Sequence, residues 1–161
     1  MASSKPTVVF VPGFWHTTEG FGPVSALLRK ADYPTIPFDL PSAGAHPGLP
    51  DFSKDVESFR SLVTGLADAG KDVVVVMHSG GSIIGSEGLR GLSKKERGGS
   101  NGGVVRLVYI GILLPDAGMT MMEKFTSVIT SPDLDPDFVL DTNQDSHVIA
   151  QVRNYSAWIL S

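Results

Sequence analysis

Val73-Val74-Val75-Val76-Met77-His78-Ser79-Gly80-Gly81-Ser82-Ile83-Ile84 is the segment whose residue types and order are best suited to chemistry. A buried strand runs into a serine, then into small residues, then into a helix. A serine on so sharp a turn is held in a strained backbone conformation with its Oγ directed out of the sheet. The helix that follows offers unpaired N–H groups and a positive dipole end, where a developing oxyanion is stabilised. Such a turn needs small side chains two positions either side of the serine. Gly81 meets that need; Met77 stands where the first glycine of G-x-S-x-G would be. The alternative is a serine in an ordinary strand-to-helix turn. A second segment, Val8-Val9-Phe10-Val11-Pro12-Gly13-Phe14-Trp15-His16, reads as a strand entering a Pro-Gly turn and then aromatics. In an enzyme with a serine on a strand-to-helix turn, a loop of this kind supplies the other oxyanion donor.

The elements that must hold these residues follow from periodicity. Thr7–Val11, Asp72–Met77 and Val104–Leu114 are short apolar runs rich in β-branched residues, each stopped by Pro, Gly or Ser. Thr35–Phe38 is a weaker run. Their lack of alternation fits strands buried on both faces, as in a parallel sheet. Between them, Phe21–Ala31 places Val24, Leu27, Leu28 and Ala31 on one helical stripe. Phe52–Ala69 does so with Val56, Phe59, Leu62, Val63 and Leu66, and Gly70 stands at a C-cap position. Ser82–Leu92 is a third helix. Strand and helix alternate, which predicts an α/β fold with a mostly parallel sheet. The segment 93–103 carries charges and glycines and reads as a solvated loop. Beyond Phe125 the pattern changes, with acidic residues and prolines and no clear element in the last fifteen residues. The expected division is therefore residues 1–125 and a divergent tail or cap start over 126–161.

In these residues and their order the chain resembles the α/β-hydrolase-fold family. It is most similar to small cofactor-free esterase-like members, and also to plant methyl esterases and hydroxynitrile lyases. The resemblance is carried by VVFVPGFWHTTEGFGPVSALL, IPFDLPSAGAHP, DFSKDVESFRSLVTGLADAGKDVVVVMHSGGSIIG and VVRLVYIGILLPDAG, about residues 7–125. It implies Ser79 as nucleophile and the backbone N–H groups of Phe14 and Gly80 as the oxyanion hole. It implies hydrolysis of a small ester or related carbonyl compound through an acyl-enzyme, with no cofactor and no metal. It also implies an acid and a histidine after the serine in chain order. His147 is the one histidine after Ser79, and Asp116 precedes it. No strand is expected to lead into Gln144–Val148, so His147 reads as a solvated tail residue in preference to the base of a Ser79–Asp116–His147 set. Without a base the serine is a poor nucleophile. The chain is accordingly expected to hold only the N-terminal part of the fold, stopping after the family's sixth strand and inactive by itself. A non-catalytic binding protein on the same scaffold is the alternative.

Composition narrows the rest. In 161 residues, 42% are hydrophobic and 19% charged, enough for one core and too little charge for disorder. The net charge of −4 with no basic run longer than Lys94–Lys95 argues against nucleic-acid binding. Short apolar runs and an N-terminus with no apolar core argue against membrane spans and secretion, so a cytoplasmic location is expected. Cysteine is absent, which removes disulfides and thiolate chemistry. The scattered histidines give no metal-ligand spacing. Trp15 and His16 are expected at a pocket mouth, His78 in a supporting position and His46 in an exposed loop. Met119, Met121 and Met122 are expected to pack. The first strand is not followed by G-x-G-x-x-G, which disfavours dinucleotide binding. Nothing in the pattern fixes an oligomeric state.

Overall fold

A computed structural model describes residues 5–99, 102–111, 118–120, 123, 126–127, 138–142 and 148–152, the last two segments as backbone. Two compact units result, Met1–Leu114 and Pro115–Ser161. The first contains β1 (Thr7–Val11), α1 (Gly22–Lys30, preceded by a 3-10 turn at Thr18–Phe21), β2 (Thr35–Pro37), α2 (Ser53–Asp68), β3 (Asp72–His78), α3 (Gly81–Gly88) and β4 (Gly103–Ile110). All four strands are parallel, in the order β2-β1-β3-β4. The α/β class and the parallel sheet are as the alternation predicts.

The strands are apolar on both faces because helices cover both. On one side Val9, Val11, Val73, Val75 and Met77 pack with Phe59 and Val63 of α2 and Ile84 of α3. On the other, Val8, Phe10 and Val76 meet Phe21, Leu28 and Tyr33 around α1. The α2 stripe is as its spacing requires: Phe59 and Val63 are fully buried, and Val56, Leu62 and Leu66 pack at their flanks. Its C-terminus closes with Gly70 at φ +73°, with Gly70 N–H donating to Ala67 O at 3.0 Å and Lys71 N–H to Leu66 O at 3.0 Å. At its other end the Ser53 N–H donates to the Asp51 carboxylate at 2.8 Å. That backbone bond, then the Ser53 side chain, holds the Asp51 carboxyl below its ordinary range.

Several expectations are corrected. The stripe on α1 is only partly buried: Val24 is 43% and Leu27 65% exposed, while Ser25 is buried. The reason is polar, since Ser25 Oγ pairs with Thr35 Oγ1 at 2.8 Å and Arg29 donates to both hydroxyls. The third helix ends at Gly88, short of Leu92. The last strand ends at Ile110, because Gly111 takes a left-handed φ of +56°; residues 112–117 lie outside the described ones. The segment 93–99 faces solvent at Lys95, Glu96, Gly98 and Gly99, as its composition predicts, but it is also tied down. Arg97 reaches the Asp68 carboxylate at 2.6 Å and Gly102 O at 3.0 Å, and Lys94 pairs with Asp72 at 2.8 Å. Gly102 and Gly103 are buried there, too close to the Lys71 and Lys94 backbones for a side chain.

The second unit holds an antiparallel pair, β5 (Phe138–Thr142) with β6 (Val148–Val152). This overturns the expectation of no element in the tail and of no strand before Gln144. Each run is only five residues, and a turn-rich acidic sequence precedes the first, so neither stood out against its surroundings. His147, Asp116, Met121 and Met122 lie outside the described residues.

Phe59 carries the most weight in the core. It is fully buried, meets the Phe38 ring at 5.1 Å and lies under Gly88 of α3. Phe59→Ala is expected to cost about 3–5 kcal/mol, measured as the shift in urea midpoint at unchanged slope.

Candidate active site

The connection from β1 through α1 goes to β2 on one side of the sheet. The connection from β2 through α2 returns past β1 to β3, and α3 continues outward to β4. The winding therefore reverses between β1 and β3, and the loops leaving their carboxyl ends diverge. In open α/β sheets this crevice is where ligands bind. The two segments singled out in the sequence leave the sheet at this point, Pro12–His16 after β1 and Ser79–Gly80 after β3.

Ser79 has φ +47°, the left-handed conformation expected of a serine between a strand and a helix. The turn is pinned on both sides. Ser79 N–H donates to Ile110 O at the end of β4 at 3.0 Å, and Ser79 O accepts from Ser82 N–H at 3.0 Å as α3 begins. The serine hydroxyl makes no hydrogen bond to a described residue. Neither the Phe14 nor the Gly80 backbone N–H has an acceptor among the described residues.

The approach of the two loops leaves no room for side chains at the glycines between them. A Cβ on Gly81 would overlap Pro12 O, and one on Gly80 would overlap the Phe14 ring. A Cβ on Gly13 would lie 3.1 Å from Ser79 Cβ and 3.0 Å from His78 Nδ1. Phe14 and Gly80 are thus neighbours, and Ser79 stands beside the base of the same loop. His78 fills the space below: its ring faces that of His16 edge-on at 6.1 Å, and His16 Nδ1 lies 2.8 Å from Phe14 O. None of the described histidines hydrogen-bonds the Ser79 hydroxyl. His46 is exposed, as its loop predicts. Among the described residues no three metal-ligating side chains cluster, and no helix is long and apolar enough to cross a membrane.

Met77 is the departure from the small-x-Ser-x-small pattern, and its accommodation lies one helix away. Its side chain is fully buried under α3, where a Cβ on Gly85 would overlap Met77 Sδ and stand 3.1 Å from Cγ. The space that a glycine on the strand would leave open is vacated on the helix instead. The compensating residue is six positions past the serine, outside the spacing that a motif search inspects.

Two carboxylates fix the loop opposite. Asp39, after β2, accepts from Thr18 N–H at 2.6 Å and Thr18 Oγ1 at 2.9 Å, joining the start of the 3-10 turn to the end of that strand. Asp55, fully buried on α2, accepts from Ser42 N–H at 2.8 Å. Its second oxygen has no partner among the described residues, nor has the buried Ser82 hydroxyl. Between the loops lies an open pocket of about 460 Å³, with Phe14, Trp15, His16, Leu40, Ala43 and Phe52 in its walls. Trp15 and His16 thus stand at a pocket, as expected; the roles of Asp39 and Asp55 were not foreseen. The sequence signal available for them was an acid beside the Leu40-Pro41 turn and an acid in the first turn of an amphipathic helix.

A parallel sheet wound in this way, with a serine at a left-handed turn into a helix, defines a hydrolase-type α/β fold. The alpha/beta hydrolase family model matches residues 8–158, and the chain belongs to that family. It is 33% identical over 117 residues to the alpha/beta hydrolase nvfD of Aspergillus novofumigatus, covering 73% of this chain and 47% of that protein. It is 32% identical over 146 residues to the probable esterase PIR7A of Oryza sativa, covering 85% of this chain and 52% of the relative. The chain thus spans about half the length of these relatives. Among solved structures, polyneuridine aldehyde esterase superposes with a TM-score of 0.62 at 18% identity, covering 91% of this chain and 56% of the other. Tomato methylketone synthase I, complexed with 2-tridecanone, gives 0.59 at 17% identity over 87% and 52%.

Met77 and Gly85 form a coupled pair whose sign can be measured. Gly85→Ala is expected to destabilise by about 1–3 kcal/mol because the new methyl strikes a packed side chain. In a Met77→Ala background the same substitution fills vacated space and gains helix propensity, so it becomes neutral or stabilising. A double-mutant cycle by urea unfolding is expected to show coupling of about 1–3 kcal/mol.

Proposed function

We propose that the protein is a carboxylic ester hydrolase of the serine type, with Ser79 as nucleophile and the Phe14 and Gly80 N–H groups as oxyanion donors. The observation that supports this most directly is the meeting of a left-handed serine, its hydroxyl unengaged, with two backbone N–H groups that have no acceptor among the described residues. Backbone donors in a glycine-lined crevice reorganise little during reaction, which is the property that stabilises a developing alkoxide. Both curated relatives bear hydrolase or esterase names, and one structural neighbour holds a neutral carbonyl compound. A small neutral ester or related carbonyl compound is the substrate class in keeping with this.

In the proposed reaction Ser79 Oγ attacks the ester carbonyl carbon and its proton passes to a general base. The carbonyl oxygen becomes an oxyanion between the Phe14 and Gly80 N–H groups. Collapse of the tetrahedral species breaks the bond to the alkoxy group, which leaves as the alcohol with that proton. Water then attacks the acyl-enzyme and releases the acid, restoring the serine. No described residue accepts the Ser79 proton, and Asp116 and His147 lie outside the described residues. A non-catalytic binding protein on this scaffold is the second reading, favoured by that hydroxyl without a partner.

Labelling with a fluorophosphonate probe and peptide mapping separates the two. The expected outcome for the 161-residue chain is slow modification of Ser79, over hours, with no label in Ser79→Ala. Turnover of p-nitrophenyl acetate is expected to stay within about tenfold of that variant, since no described residue hydrogen-bonds the Ser79 hydroxyl as a base and a serine without one is weakly nucleophilic. An absence of label after a day, or label that survives Ser79→Ala, removes the nucleophile assignment and favours the binding protein.

A further inference from the structure

Trp15 is 91% exposed and has φ +61°, a left-handed conformation that is strained for a bulky side chain. The loop is held that way from both sides. Gly13 is pressed against His78 and Ser79, and His16 N–H donates to Gly13 O at 3.2 Å while its ring bonds Phe14 O. A strained backbone that keeps a large indole in water, at the wall of a pocket, points to something the indole covers.

The pocket itself restricts what that is. Its volume of about 460 Å³ falls in the range of small-molecule sites. The Phe14 ring lies against Gly80 on one side and stacks on Phe52 on the other, with centroids 4.8 Å apart and planes 5° from parallel. Neither Ser79 nor Gly80 is among the lining residues, so the Phe14 ring is the partition between the pocket and the serine turn. The remaining walls include Leu40 and Ala43, with His16, Ser42 and Thr17 as polar groups, and the His16 Nδ1 is already engaged with Phe14 O. Among the described residues no Asp, Glu, Lys or Arg lines the space. An ionised group entering it would give up hydration without a carboxylate, ammonium or guanidinium to pair with. A cation could be held by aromatic faces alone, but Phe14 and Phe52 turn their faces to each other, which leaves Trp15, among the described lining residues, as the Trp, Tyr or Phe ring outside that stack.

We propose that this pocket binds an uncharged, flat apolar group, an aryl ring in the first instance, against Trp15 and the Phe14–Phe52 pair. Binding of such a group does not depend on Ser79. Its use as the seat for the part of an ester remote from the carbonyl rests on the Ser79 reading above.

The test follows the indole N–H resonance of Trp15 in the 161-residue chain by NMR. The chain has two tryptophans, and the Trp15 signal is the one that survives Trp158→Phe. Acetophenone, benzoate and benzyltrimethylammonium present one ring as a neutral ketone, an anion and a cation, and none can be hydrolysed. Acetophenone is expected to shift the resonance saturably, with the two ions at least about tenfold weaker, a difference of about 1.4 kcal/mol. Phe52→Ala, at a half-exposed position, is expected to weaken acetophenone at least about fivefold. Ala43→Trp, which fills the pocket from another wall, is expected to abolish the shift. No saturable shift, equal binding of either ion, preference for the cation, or indifference to both substitutions overturns the proposal. Acetophenone binding that persists in Ser79→Ala and in a chain the fluorophosphonate does not label supports the pocket while the Ser79 reading falls. Labelling of Ser79 without acetophenone binding does the reverse.

Discussion

The close approach of the loop after β1 to the turn after β3 is the constraint on which the rest of this structure depends. Pro12 O sits where a side chain on Gly81 would be, and the Phe14 ring sits where one on Gly80 would be. That contact requires two glycines after Ser79 and a left-handed serine, because the chain must turn from strand to helix within two residues. It also brings the β1 loop against the start of α3. The chemistry proposed for the site is a consequence of this packing: the groups that would hold an oxyanion are ones that two converging backbones cannot satisfy with each other.

The helix layer is adjusted to the same contact. Met77 directs its side chain into the space left by Gly85, and Phe59 lies below both Gly85 and Gly88. Three small positions on α3, Gly81, Gly85 and Gly88, let the helix descend onto β1, β3 and α2 respectively. An eight-residue helix with three glycines has poor intrinsic propensity. Its stability comes from burial of Ile84 and from the fit to its neighbours, so it is held by the sheet as much as it covers it.

Much of this was legible in the sequence, and the parts that were not have physical reasons. β1, β3 and α2 announce themselves because burial on two faces, or on one stripe, leaves a periodic record. The serine turn is legible because its backbone geometry admits few residue types. The correspondence of Met77 with Gly85 was hidden because it spans two elements, and a one-dimensional pattern records spacing, not facing surfaces. Val24 and Leu27 on α1 carry the right period yet stay exposed, since Ser25 and Arg29 are drawn to Thr35 by hydrogen bonds that apolar periodicity ignores. In the segment 93–103 charge does signal solvent exposure at Lys95 and Glu96, but composition does not record that Arg97 and Lys94 pair with Asp68 and Asp72. The strands β5 and β6 leave little periodic signal, being five residues each beside acidic turn-formers.

β4 ties these observations to function. Val105, Leu107, Tyr109 and Ile110 are 36–45% exposed, whereas Gly103 and Val104 at the start of the same strand are buried. Register puts Leu107 and Tyr109 on the α2–α3 side, beside Val75 and Met77, and Ile110 on the other. Among the described residues no strand pairs with the outer edge of β4, a surface that a sheet ordinarily covers. Yet the last residue of β4 is also the one whose carbonyl accepts the Ser79 N–H. The serine turn therefore rests on the least covered strand of the sheet. The left-handed conformation of Ser79 is in this way tied, through one backbone hydrogen bond, to the end of β4 as well as to the start of α3.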